Sequence, residues 1–199
     1  MNGQGRDKAG LSKSGARTYY LFWLLLALPA VWLVAERLRH AKVAYVPLTG
    51  DIAGWILIVT LMITPLTLLL GPLPWLKARR RYLGVASCLY GGLHLAFWLR
   101  NADLHQLIRS FLRPSIVTGW VALIVLVLLA LTSTDSAVAR MGTGWKRLQR
   151  WVYPAAVLTL AHWLMTTDNK RLAVASALPL VLLSLWRIWR SRYRMTRST

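Results

Sequence analysis

Six apolar runs divide the sequence, at about residues 19–35, 52–70, 82–99, 116–132, 151–167 and 172–189, each about 16 to 19 residues long. Runs of that length lie near the lower end of what crosses a ~30 Å hydrocarbon core. Composition points the same way: 56% of the 199 residues are hydrophobic and 11 are Trp, too apolar for a soluble domain of this size. The expected fold is all-α, a polytopic six-helix transmembrane bundle. The first run is followed by ERLRHAK instead of a small-residue cleavage site, so it reads as a helix and not as a signal peptide.

A net charge of +19 suggests nucleic acid in a soluble chain, and anionic lipid or membrane topology in this one. Its distribution decides. With the N-terminus inside, 17 of the 25 Lys and Arg fall in cytoplasmic segments and 8 on the other side, so both termini are predicted to face the cytoplasm. The charges are scattered over short loops and form no single surface, so nucleic acid is not the expected partner; the lipid bilayer is. Residues 1–17, rich in Gly, Ser, Lys and Arg, are predicted disordered, 18–190 form the membrane domain, and 191–199 are a basic cytoplasmic tail. Thr49 or Asp51 is the expected N-cap of the second helix and Gly71-Pro72 its stop. Cys88 lies alone in an apolar run, so no disulfide forms within one chain. No internal repeat, phosphate loop or dinucleotide fingerprint is evident.

Four histidines remain. His40 and His105 fall in predicted outer loops, where a solvated or interfacial imidazole is the plain reading. His94 and His162 sit inside apolar helices, and an ionisable side chain there calls for a functional explanation. His94 follows Arg81 by 13 residues and His162 follows Arg150 by 12, both on helices running outward. At 1.5 Å per residue both rings stand roughly 18 to 20 Å above the cytoplasmic boundary. Two rings at one height can share a ligand. Zinc wants three or four protein ligands, and no third His, Cys or carboxylate lies at this depth. Haem b needs only two axial nitrogens and suits an apolar bundle. Gly91, Gly92 and Ala161 leave room for a macrocycle, the second ring nitrogens could reach carbonyls one turn back near Tyr90 or Leu158, and Arg100, Arg113, Lys170 or Arg171 could meet the propionates. The residues alone leave two readings open: a bis-histidine haem, or two histidines that hydrogen-bond across helix interfaces.

The order of landmarks resembles the MsrQ (YedZ) family of the ferric reductase-like transmembrane superfamily. It is carried by LTGDIAGWILIVTLMITPL (48–66), RRYLGVASCLYGGLHL (80–95), RPSIVTGW (113–120), LALTSTDSAVARMGTGWKRLQRWVY (129–153) and AHWLM (161–165), nearly the whole of residues 45–170. The resemblance implies a six-helix haem b protein of the bacterial inner membrane, with His94 and His162 on the family's haem ligands. It would pass electrons from membrane quinol or a flavin reductase to a periplasmic molybdenum-cofactor (MsrP-like) reductase that repairs methionine sulfoxide. It would be an electron-transfer subunit without a substrate site of its own. FMN is a further cofactor associated with the family. Two departures stand out. Where the family has a further His in W-x-x-L-H, this sequence has WKRLQ with Gln149; with Arg80 and Arg81 at the matching depth, one haem is expected and a second is in doubt. Where relatives often carry a basic residue after LTG, this chain has Asp51. Other readings are a single-haem paralogue serving a different periplasmic oxidoreductase, and a haem-free scaffold or assembly factor. A transporter would want charges at helix centres, and apart from the histidines there are none.

Overall fold

The computed structural model describes residues 13–39 and 44–195. His40, most of the basic N-terminal segment and the last residues of the tail lie outside them. The chain divides after Val43 into two compact units. The first contains α1 (Lys13–Leu38), which starts inside the segment expected to be disordered. The second holds α2 (Tyr45–Leu70), α3 (Pro74–Asn101), α4 (Leu104–Ser110), α5 (Pro114–Leu131), α6 (Asp135–Met141), α7 (Thr143–Gln149), α8 (Val152–Thr166) and α9 (Lys170–Met195). No strand occurs among the described residues.

Among the described residues five helices are long and apolar enough to cross a membrane: Tyr20–Leu38 within α1, all of α2, α3 and α5, and Lys170–Arg190 within α9. The run expected to supply a sixth is α8. Its 15 residues rise only about 22 Å, and a turn at Arg150 and Trp151 separates it from α7.

Helices and apolar runs do not share boundaries. α3 starts at Pro74 and takes in Lys77 and Arg79 to Arg81 before its apolar stretch. Lys and Arg are good helix formers whose stems can lie along apolar surface, so hydropathy marks where lipid begins and not where the helix does. α2 likewise starts at Tyr45, with Ala44 at its N-cap and no side-chain cap bond, which corrects the expected caps. Thr49 lies inside the helix and donates to Tyr45 O at 2.7 Å. Asp51 is engaged elsewhere. The stop is as the Gly-Pro pair suggests: α2 ends at Leu70, and Gly71 takes φ +94°, a conformation that favours glycine.

Within the second unit α2 packs chiefly on α3, and α5 on α8, while α9 lies against α2. Ser87 on α3, fully buried, donates to Ala53 O on α2 at 2.9 Å. The apolar core is Leu57 and Leu61 from α2, Cys88 from α3, Leu126 from α5 and Ala155 from α8. Large apolar side chains also cover the outside, Val157 being 68% and Leu131 69% exposed. A surface of that kind suits lipid, where apolar side chains lose nothing by facing outward.

Candidate functional site

α2 and α5 begin alike. Each has its second residue, Val46 or Ser115, in the first turn, and a Thr-Gly pair three and four residues further on, Thr49-Gly50 and Thr118-Gly119. Cβ bonds on a helix lean toward its N-terminus, so a side chain at the glycine position would cover the carbonyl four residues back. Without one, a ring from a neighbouring helix can reach that carbonyl. His94 from α3 does so over Gly50: its Nδ1 lies 2.8 Å from Val46 O, and a Cβ on Gly50 would come within 3.0 Å of the same nitrogen. His162 from α8 does so over Gly119: its Nδ1 lies 2.5 Å from Ser115 O, and a Cβ on Gly119 would come within 2.8 Å of it.

Carbonyl oxygens only accept, so each Nδ1 carries the proton and donates it. In a neutral imidazole Nε2 is then a free lone pair. Ser115 O also accepts from Thr118 Oγ1 at 2.8 Å, and the one proton of Thr49 Oγ1 is shared between Tyr45 O at 2.7 Å and Val46 O at 3.0 Å. Each histidine is held in one tautomer by the carbonyl that its Nδ1–H meets. The expected acceptors near Tyr90 and Leu158 are not the ones used. Short hydroxyl side chains such as Thr159 do bond back along their own helix, to Ala155 O at 2.8 Å; an imidazole stands further off and crosses to the next helix.

The two ring centres lie 6.0 Å apart, with the planes edge-on to each other at 82°. Two metal–imidazole bonds of about 2 Å plus roughly 1.1 Å from each nitrogen to its ring centre also amount to about 6 Å, so the separation of the centres suits one metal held by both. A cavity of about 540 Å³ opens at the pair, walled mostly by apolar side chains and Trp98, Trp120 and Trp163, with Asp51, Asp168 and Asn169 among its polar members. Its size is that of small-molecule and cofactor sites. Among the described residues no group of three or more His, Cys, Asp or Glu could hold a metal ion. The donor set therefore fits a planar ligand that brings its own equatorial nitrogens, as haem does.

Other expected site residues are dispersed. Gly91 lines the cavity, where a Cβ would lie 3.1 Å from Leu123; Gly92 faces open space. Arg100, Arg113, Lys170 and Arg171 are exposed and line no part of the cavity, and His105 is exposed on α4. The sequence reading missed Gly50, Gly119 and the pair formed by Asp51 and Trp163, whose Nε1 donates to Asp51 Oδ1 at 2.7 Å. The repeated Thr-Gly was the available signal, in a chain read as having no internal repeat.

Toward the other end of the unit the polar side chains are engaged: Gln149 gives its amide to Leu129 O at 3.3 Å, and Arg81 pairs with the exposed Asp135 at 2.7 Å. Between that end and the cavity lies the apolar core of Leu57 and Leu61 with Leu126, which is also on the cavity wall.

Residues 49–160 match the family described as the ferric reductase like transmembrane component, a match that includes His94 and stops just short of His162. Curated relatives cover most of the chain. The protein-methionine-sulfoxide reductase heme-binding subunit MsrQ of Caulobacter vibrioides is 34% identical over 91% of this chain and 91% of its own. The proteins of the same name from Ralstonia nicotianae and Yersinia pseudotuberculosis are 33% identical over 84% of each chain, and 32% identical over 88% of this chain and 92% of theirs. No solved structure matches the chain.

Proposed function

We propose, from the premise that this chain belongs to the MsrQ family of the ferric reductase-like transmembrane proteins, that it is a membrane electron-transfer subunit holding one haem b between His94 and His162. The observation that carries the reading is the pair of imidazoles, 6.0 Å apart, each giving Nδ1–H to a carbonyl and keeping Nε2 free. When bound, haem supplies one-electron redox chemistry. His94 and His162 hold and orient it. Val46 O and Ser115 O fix their tautomers and raise their basicity as ligands. The tryptophans and leucines of the cavity wall keep water from the centre.

A count of one haem is supported by Gln149, which stands where the family resemblance expects a histidine and gives its amide to Leu129 O. A single site roughly 20 Å from the cytoplasmic boundary by helical rise supports membrane quinol as electron donor, because quinol can approach within the bilayer; a flavin reductase working through FMN is the other donor. The relatives' name, a subunit of a protein-methionine-sulfoxide reductase, supports a periplasmic molybdenum-cofactor reductase as acceptor. With α8 as the sixth span, both termini face the cytoplasm in a bacterial inner membrane, an orientation supported by the charge distribution. The chain then relays electrons without a substrate site of its own.

The test is haem per polypeptide on detergent-purified protein, by pyridine haemochrome, with the dithionite-reduced spectrum alongside. A ratio near one and a low-spin b-type spectrum are expected, and His94→Ala is expected to lose the haem. A ratio near two would contradict the single site, and a colourless protein would favour the scaffold.

A further inference from the structure

We propose that Asp51 is a positioning residue for the histidine pair: by holding Trp163 it fixes the distance between the two helix pairs that each carry one ligand. The inference rests on the haem reading above. His94 is seated within the α2–α3 pair and His162 within the α5–α8 pair. Neither seat by itself sets the separation of the rings, because each hydrogen bond stays inside its own pair.

The bond from Trp163 Nε1 to Asp51 Oδ1, 2.7 Å long, does cross between the pairs, from α8 to α2, and it does so on the cavity wall. Both partners adjoin the site in sequence. Asp51 comes directly after Gly50, the floor under the His94 ring, and Trp163 directly after His162. The indole is 7% exposed and lies so close on α2 that a Cβ on Gly54 would come within 3.2 Å of it. A carboxylate within a membrane helix is costly and calls for a role. The Asp51 side chain accepts a single hydrogen bond, and its other oxygen has no hydrogen-bond partner among the described residues.

The rest of the site supplies an internal control. By the Thr-Gly correspondence, the counterpart of Asp51 is Trp120 and the counterpart of Trp163 is Leu95, which has no polar side-chain atom with which to form such a tie. Among the described residues the polar tie between these positions is thus present on one side of the cavity alone. Six-coordinate ligation tolerates only small errors in ring position, so loosening that tie is expected to release one axial ligand before it unfolds the bundle.

Asp51→Leu, Asp51→Asn and Trp163→Phe, in the full-length protein purified with its haem, test this. Haem loss to an excess of apomyoglobin and the low-spin to high-spin balance of the oxidised spectrum are the readouts, with thermal unfolding as control. Asp51→Leu and Trp163→Phe are each expected to lose haem roughly tenfold faster and to gain a high-spin fraction. The double variant should be no worse than either single one. Asp51→Asn, which keeps an acceptor oxygen and drops the charge, is expected to restore both readouts. Should Asp51→Leu fail to fold, Trp163→Phe carries the test. Wild-type spectra and rates in Trp163→Phe would overturn the proposal, as would Asp51→Asn behaving like Asp51→Leu, which would assign the effect to charge. A wild-type protein without haem would overturn the haem reading and this inference with it.

Discussion

The two histidine seats are built alike and finished differently. In both, the carbonyl of the second helical residue accepts from a ring nitrogen, a threonine hydroxyl shares that oxygen, and a glycine leaves the ring its place. The residue after the glycine differs: Asp51 on α2 reaches the opposite pair, whereas Trp120 on α5 lies 5.8 Å from Phe111. The shared part is what a single buried imidazole needs, a fixed tautomer and room. The unshared part concerns the two imidazoles together.

Substitutions can break that likeness in graded steps. The largest effect is expected at Gly119→Ala, where the added carbon meets His162 Nδ1 at 2.8 Å with little slack in a short hydrogen bond. The ring must leave Ser115 O, and haem retention is expected to fall roughly 10–100-fold, measured by transfer to apomyoglobin. Gly50→Ala meets His94 at 3.0 Å across a longer bond, and its loss should sit near the lower end of that range. If the order of the two is reversed, closeness of contact is not what governs the seats. Thr49→Val and Thr118→Val each remove a hydroxyl from the shared oxygen and leave the histidine in place. Each should cost about 0.5–1.5 kcal/mol, read as a small drop in thermal stability with an unchanged low-spin spectrum.

The smallest expected change contrasts the open cavity with the packed end. Gln149→His would place an imidazole where the family resemblance expects one, beside a buried apolar core of Leu57, Leu61 and Leu126 that offers it no second axial ligand. Haem per polypeptide is expected to stay near one. A rise toward two would mean that the core around Leu57 and Leu126 repacks readily.

Much of the site was legible before any fold was known. His94 and His162 stood out because ionisable groups in apolar helices are expensive, and their equal heights came from a fixed rise per residue. The arginines assigned to propionates were less well placed. Position along a helix gives depth but not azimuth, and Arg100 and Arg113 turn out exposed and away from the cavity wall. Gly92, offered with Gly91 as room for a macrocycle, sits about 100° away around the helix and faces open space.

The sequence by itself determined the apolar helices and their expected solvent, since hydropathy is a local property summed along the chain. Only the tertiary structure decided which oxygens the histidines use and that Asp51 meets Trp163. Val46 and His94, Ser115 and His162, and Asp51 and Trp163 are separated by 48, 47 and 112 residues. Contacts at such separations depend on which helix faces come together, and that is settled by the packing of whole helices against one another and not by any short stretch of chain.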